Sequence, residues 1–216
     1  MRYCSLDVES SGLDPARCCL LELACVVEDT EHPLPLAELP CWSCVVAHRS
    51  LPGDPYALAL NHYLVERSLA NDDCLQPEEV VPALAAFLQK QGLGRANLAG
   101  KNVAFDLGFL ARLPGWPVGE ERLFRHRVLD PAVFFWQPAR DACLPDTKTC
   151  LERAGLPMLA THRALDDARA VIALLRVGLE RRAEVGRLQE TIKGHSQRIA
   201  AQSELLSARA EKGGGR

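Results

Sequence analysis

Arg2-Tyr3-Cys4-Ser5-Leu6-Asp7-Val8-Glu9-Ser10-Ser11-Gly12-Leu13 is the stretch whose reading decides the fold. Residues 2–8 read as a strand, and Ser11-Gly12-Leu13-Asp14-Pro15 as the turn after it. Residues two apart in a strand project from one face, which places Asp7 and Glu9 side by side at the strand's end. Two carboxylates on one face of an apolar sheet repel each other and are costly to desolvate. A divalent cation offsets that cost, and hard oxygen donors favour magnesium or manganese over zinc. Taken alone, the pair reads equally well as an exposed Glu9 beside a turn-capping Asp7.

Working outward, residues 20–28 form a second strand, rich in apolar and β-branched positions. Pro33, Pro35 and Pro40 punctuate the link to a third strand at 41–47. Three strands joined by short links suggest an antiparallel meander. Helices and strands then alternate. Short helical pieces are expected within 54–69, a helix over 77–90 with Pro77 at its start, and a strand at 97–101. A helix follows at 105–113, a strand at 127–129, a helical turn at 131–136, and helices at 147–154 and 163–179. A meander followed by strand–helix alternation gives an α/β fold: a mixed five-stranded sheet, antiparallel then parallel, flanked by helices.

The 216 residues, 48% of them hydrophobic, suffice for one well-buried domain. A net charge of −3 excludes a global basic field. It does not exclude a nucleic-acid substrate, because local patches and bound cations can steer one. Nine cysteines scattered through strand-like segments read as small buried hydrophobes in a reduced, cytoplasmic protein with no signal peptide ahead of Cys4. No apolar run approaches the ~20 residues that span a bilayer. Cys41 and Cys44 have metal-ligand spacing, but in a strand they point to opposite faces, and no second pair accompanies them. Core packing is therefore expected over a zinc site.

Residues 1–180 are read as the folded domain and 181–216 as a charged tail, helical or partly disordered. Val185, Ile192, Ile199 and Leu206 recur every seven residues, with Leu188 between, and hint at a coiled coil. Gly186 and Gly194 are expected to interrupt that helix, and residues 213–216 to be disordered.

Two further clusters carry chemistry. Asn102-Val103-Ala104-Phe105-Asp106 places an acid in the first turn of a core-like helix, a position the helix dipole favours in any case. Asn102 alone reads as a helix cap. His162-Arg163-Ala164-Leu165-Asp166-Asp167 is more telling. Asp167 falls at the flank of the apolar face and Asp166 towards solvent. His162 lies on a lead-in after residues 157–161, where an imidazole titrating near neutrality suits a general base. Four carboxylates and one imidazole are the parts of a two-metal hydrolase of phosphodiesters. The other histidines lack such acidic surroundings.

These clusters resemble the three motifs of the DEDDh 3′–5′ exonucleases, the DnaQ-like branch of the ribonuclease H-like fold. Asp7 to Leu13 matches Asp-x-Glu followed by a small polar residue, Thr-Gly and Leu, with Ser10 and Ser11 in the polar positions. Asn102 to Asp106 matches the second motif, and His162 with Asp167 the third. The resemblance spans about residues 1–177. It implies Asp7, Glu9, Asp106 and Asp167 as catalytic ligands of two divalent cations, Mg2+ or Mn2+, and His162 as the catalytic base that deprotonates the attacking water. It implies Ser10, Ser11, Gly12, Leu13, Asn102 and Phe105 as substrate-binding, with Leu13 wedged against the terminal base, and Asp130 as a supporting position. The implied substrate is single-stranded DNA or RNA, or a 3′ overhang, cut to nucleoside 5′-monophosphates. Two alternatives stay open: a proofreading or repair subunit acting through a partner bound by the tail, and an oligoribonuclease-like enzyme on short RNAs. A homodimer or a polymerase or repair partner is left open, and no membrane is expected.

Overall fold

The computed structural model describes residues 1–157 and 162–213; of residues 120, 201 and 203–213 it describes the backbone alone. In chain order the elements are β1 (Arg2–Ser10), β2 (Leu20–Asp29), β3 (Cys41–Val46), α1 (Pro55–Leu60), α2 (His62–Ala70) and β4 (Cys74–Leu75). There follow α3 (Pro77–Lys90), β5 (Ala96–Ala99), α4 (Val103–Leu110), β6 (Phe124–Leu129), α5 (Ala132–Phe135), α6 (Thr147–Ala154) and α7 (Ala164–Gly213). The strands form one sheet in the order β4-β3-β2-β1-β5-β6. β1, β2 and β3 make the expected antiparallel meander, and β5 and β6 join parallel to β1. The sheet has six strands where the sequence suggests five. The sixth, β4, is two residues pairing parallel to β3 through Val45↔Cys74 and Val46↔Leu75, too short to leave an alternating pattern.

The pleat of β1 sorts its side chains between two layers. Cys4, Leu6 and Val8 enter a cluster with Leu23, Cys25 and Val27 of β2, Val80, Leu84 and Leu88 of α3, and Phe109 and Leu110 of α4. On the other face Tyr3 and Val26 pack against Ala168, Val171, Ile172 and Leu175 of α7. Each fully buried Leu or Ile here contributes roughly 1.5–3 kcal/mol, and this double burial makes β1 the centre of the domain. Local signals place the helices. Pro77 occupies the first turn of α3, and Gln76 with Glu79 forms a capping box, the Gln76 N–H donating to Glu79 Oε2 at 2.8 Å. α6 begins after Asp146, which accepts the Thr149 N–H, and ends at Gly155 with φ 73°.

The chain divides into two compact units, Met1–Arg176 and Val177–Arg216. α7 continues far beyond the expected residue 179, and neither Gly186 nor Gly194 interrupts it. Each glycine costs about 1 kcal/mol of helix propensity, and the Glu, Arg, Leu and Gln residues between them are good helix formers. Val185, Leu188, Ile192 and Ile199 of the seven-residue pattern are exposed; the Leu206 side chain and residues 214–216 lie outside the described residues. All nine cysteines are free, Cys41 exposed and Cys44 half-buried, and burial pushes the Cys44 thiol up to about 12. No described helix is long and apolar enough to cross a membrane.

The turn after β1 is locked from outside. Asp54 donates its N–H to Ser11 O at 2.7 Å, and a Cβ on Gly53 would stand 2.3 Å from that same oxygen. Gly53→Ala is expected to lower stability by about 1–3 kcal/mol in urea denaturation. Gly94→Ala, with nothing within 4 Å of its added Cβ, is expected to change it little; equal effects would show that the close approach is dispensable.

Candidate active site

β1 presents Asp7 and Glu9 on the face that α7 covers, opposite Ala24 and Glu22 of β2. Glu9 is buried, and Asn61, at the junction of α1 and α2, donates from Nδ2 to Glu9 Oε2 at 3.1 Å and to Ser10 O at 3.2 Å. Asp106 arrives from the first turn of α4 and is 4% exposed. Its Oδ1 accepts the Val8 N–H at 3.1 Å, tying α4 to the β1 backbone between the two other acids. Asn102, before α4, takes the left-handed conformation at φ 54° without a side-chain cap bond. Asp167, half-buried, comes from the first turn of α7. His162, two residues before that helix, is exposed with φ 56°; the rest of the lead-in, residues 158–161, lies outside the described residues. A non-glycine residue held there marks a constrained backbone, which clusters at functional sites. Glu9, His162 and Asp167 each offer a donor atom, all within 4.8 Å of one another.

The acids load one another electrostatically. Burial, then the charges of Asp106, Asp167, Glu9 and Glu22, hold the Asp7 carboxyl well above the usual range. Burial pushes Glu9 up to about 7, with Asp167 and Glu22 adding to it and the Asn61 bond opposing it. Asp106 is also raised to about 7 by burial, against the pull of its backbone hydrogen bonds.

A groove of 990 Å³ opens beside Glu9, walled by Ser10, Gly12, Leu13, Pro52 to Ala57, Leu60, Asn61 and Phe105. Leu13 is 85% exposed at its rim. Phe105 lines it and packs in a T-shaped contact with Phe109, centroids 5.1 Å apart. Ser10 donates its hydroxyl to Gly12 O at 2.7 Å. Ser11 is placed differently from the other residues of its motif. It is fully buried, and its hydroxyl donates to Pro52 O at 2.6 Å and accepts the Cys19 N–H at 2.8 Å, so that oxygen holds the turn. Asn102 is exposed and does not line the groove. Asp130, two residues before α5, accepts the Ala132 N–H at 2.8 Å.

Sequence reasoning missed two residues here. Asn61 left no signal, since its role depends on a contact across 52 positions. Glu22 left a faint one, a lone charge within Leu20-Leu21-Glu22-Leu23-Ala24.

No protein-family model matches the chain. It is similar to the oligoribonuclease of Pseudomonas entomophila (strain L48), 29% identical over 181 residues, covering 79% of this chain and 90% of that protein. Among solved structures it is similar to E. coli exonuclease I in complex with a dT13 oligonucleotide, with a TM-score of 0.58 and 17% identity over 87% of this chain. It spans 43% of that exonuclease I chain, less than half. It is also similar to the nuclease domain of 3′hExo, a DEDDh family member bound to rAMP, with a TM-score of 0.61 and 15% identity over 83% of this chain and 92% of that one. The fold is the ribonuclease H-like fold of these nucleases.

The raised carboxylates set a pH dependence. Glu9 and Asp106 hold protons in the folded state up to about 7, whereas unfolded carboxyls release them near pH 4. Their contribution is therefore complete below about pH 4 and is lost as pH rises through about 7. With chelator present, the melting temperature is expected to be higher at pH 5.5 than at pH 8. Asp106→Asn is expected to shrink that difference, and an unchanged pH profile in the variant would contradict the assignment.

Proposed function

We propose that this chain, a 3′–5′ exonuclease of the DEDDh, DnaQ-like type, removes nucleotides from the 3′ end of single-stranded nucleic acid with the help of divalent cations. The observation that carries the reading is the gathering of Asp7, Glu9, Asp106 and Asp167 from β1, α4 and α7, with His162 from the lead-in to α7, beside one groove. The donor set fits such ions. Hard carboxylate oxygens that burial and mutual repulsion hold above their usual range are the environment a divalent cation relieves. Asp7, Glu9, Asp106 and Asp167 would hold them, Mg2+ or Mn2+ by their hard oxygen chemistry. When bound, a pair of such ions supplies Lewis acidity at the phosphodiester and makes water a better nucleophile.

The chain's own groups do the rest. A ring nitrogen of His162 takes the proton of the attacking water as its oxygen bonds to phosphorus and the bond to the 3′ oxygen breaks; that oxygen keeps the bonding electrons and takes a proton from solvent, leaving a 3′ hydroxyl on the shortened strand and releasing a nucleoside 5′-monophosphate. Asn61 fixes the Glu9 carboxylate, and the Val8 N–H fixes Asp106. Leu13 at the groove rim is placed to wedge against the terminal base, and Phe105 and Tyr56 offer apolar surface on which unpaired bases stack irrespective of sequence. A narrower reading, favoured by the oligoribonuclease relatives, restricts the substrate to RNAs of a few nucleotides. Its signature is faster turnover of those than of oligomers several times longer.

Digestion of 5′-labelled single-stranded DNA and RNA with magnesium or manganese is expected to give ladders shortening from the 3′ end. Chelator abolishes them, and Asp7→Ala lowers the rate on the order of 1,000-fold, the loss of several kcal/mol of transition-state stabilisation. Cleavage from the 5′ end, or undiminished cleavage by the variant, would refute the proposal.

A further inference from the structure

We propose that Glu22 is a positioning residue that sets the register of α7, and with it Asp167 and His162, against the acids of β1; this rests on the reading of the site above. Glu22 is 8% exposed and stands directly across from Glu9. Its Oε2 accepts the N–H of Ala164, the first residue of α7, at 3.0 Å. A helix start leaves its first four N–H groups without intrahelical partners. The residue before α7, Arg163, has no acceptor on its side chain, and its guanidinium lies 5.6 Å from the centre of the Tyr63 ring. The cap is therefore supplied by a neighbouring strand, and as a carboxylate it also suits the positive end of the helix dipole.

A second glutamate of β2 repeats the device. Glu28, on the same face, accepts from Arg176 Nε at 2.5 Å, and the same guanidinium donates to Leu34 O at 2.7 Å. Twelve helical residues from Ala164 to Arg176 rise about 18 Å. Six strand residues from Glu22 to Glu28 rise about 20 Å. The near match lets both bonds form at once, so the strand fixes the helix in direction and in register. Asp7 and Glu9 are held by the sheet and Asp106 by its bond to Val8. Asp167 and His162 have their placement set through the start of α7. Among the described residues, none of α7 lines the groove, so displacing α7 impairs the chemical step and spares binding.

The test compares Glu22→Ala with Glu22→Gln in the full chain. Gln keeps an oxygen that accepts the Ala164 N–H and removes the charge. In metal-free protein, deuterium exchange in the first turn of α7 is expected to rise in Glu22→Ala, with α3 unchanged, and to stay at the wild-type rate in Glu22→Gln. On single-stranded oligonucleotides with manganese, Glu22→Ala is expected to lose about 10–100-fold in kcat with KM nearly unchanged, and Glu22→Gln to recover most of kcat. Wild-type kcat and exchange in Glu22→Ala would overturn the proposal. So would a folded Glu22→Gln as impaired as Glu22→Ala, since the charge itself would then be required. Should Glu22→Ala fail to fold, Glu22→Gln alone decides by the same two readouts. A wild-type protein without nuclease activity would remove the functional reading, while the exchange comparison would still decide the role of Glu22.

Discussion

Mutual repulsion among buried and half-buried carboxylates is the constraint on which this structure turns. Asp7 and Glu9 on β1, Asp106 on α4 and Asp167 on α7 face one region, with Glu22 beside them. Desolvated like charges are costly to hold together, and nothing in hydrophobic packing needs them there. The fold tolerates them because β1 is buried on both faces by large apolar clusters. The same crowding sets the local chemistry: it raises the affinity of Asp7, Glu9 and Asp106 for protons.

Topology explains why acids so distant in sequence meet. β1 sits inside the sheet with antiparallel β2 on one side and parallel β5 on the other. The carboxyl ends of β1 and β5 therefore lie at the same edge, where open α/β sheets bind their ligands. Asp7 and Glu9 end the first of these strands, and Asp106 enters on the helix that follows the second. α7 then lies along β2, anchored at Glu22 and Glu28, and brings the third motif to that edge.

Much of this was legible in the sequence, and the exceptions have physical causes. The meander strands were readable because they are long and apolar. α3 and α6 begin and end where expected because Pro77 and Gly155 mark them. β6 begins at Phe124, three residues earlier than expected, because its exposed middle carries Arg125, His126 and Arg127. α4 starts at Val103 and stops at Leu110, not 105–113, because the left-handed Asn102 starts the helix earlier than its apolar pattern indicates. At the site, the four acids and His162 were visible as spaced motifs. The two residues that orient them were not. Asn61 reaches Glu9 across a fold contact, and Glu22 meets Ala164 142 positions away. Ser11 reads as a substrate contact from its motif, yet Pro52 O and the Cys19 N–H occupy its hydroxyl, a partnership that only the folded turn creates.

Calorimetric titration of manganese into the metal-free protein at pH 8, beside Asp7→Asn, tests the cation site most directly. The cluster requires saturable binding in the wild type and binding at least about tenfold weaker in Asp7→Asn, whose amide keeps the shape and removes the charge. Absence of binding to the wild type, or equal binding by the variant, would contradict a cation site at Asp7, Glu9, Asp106 and Asp167.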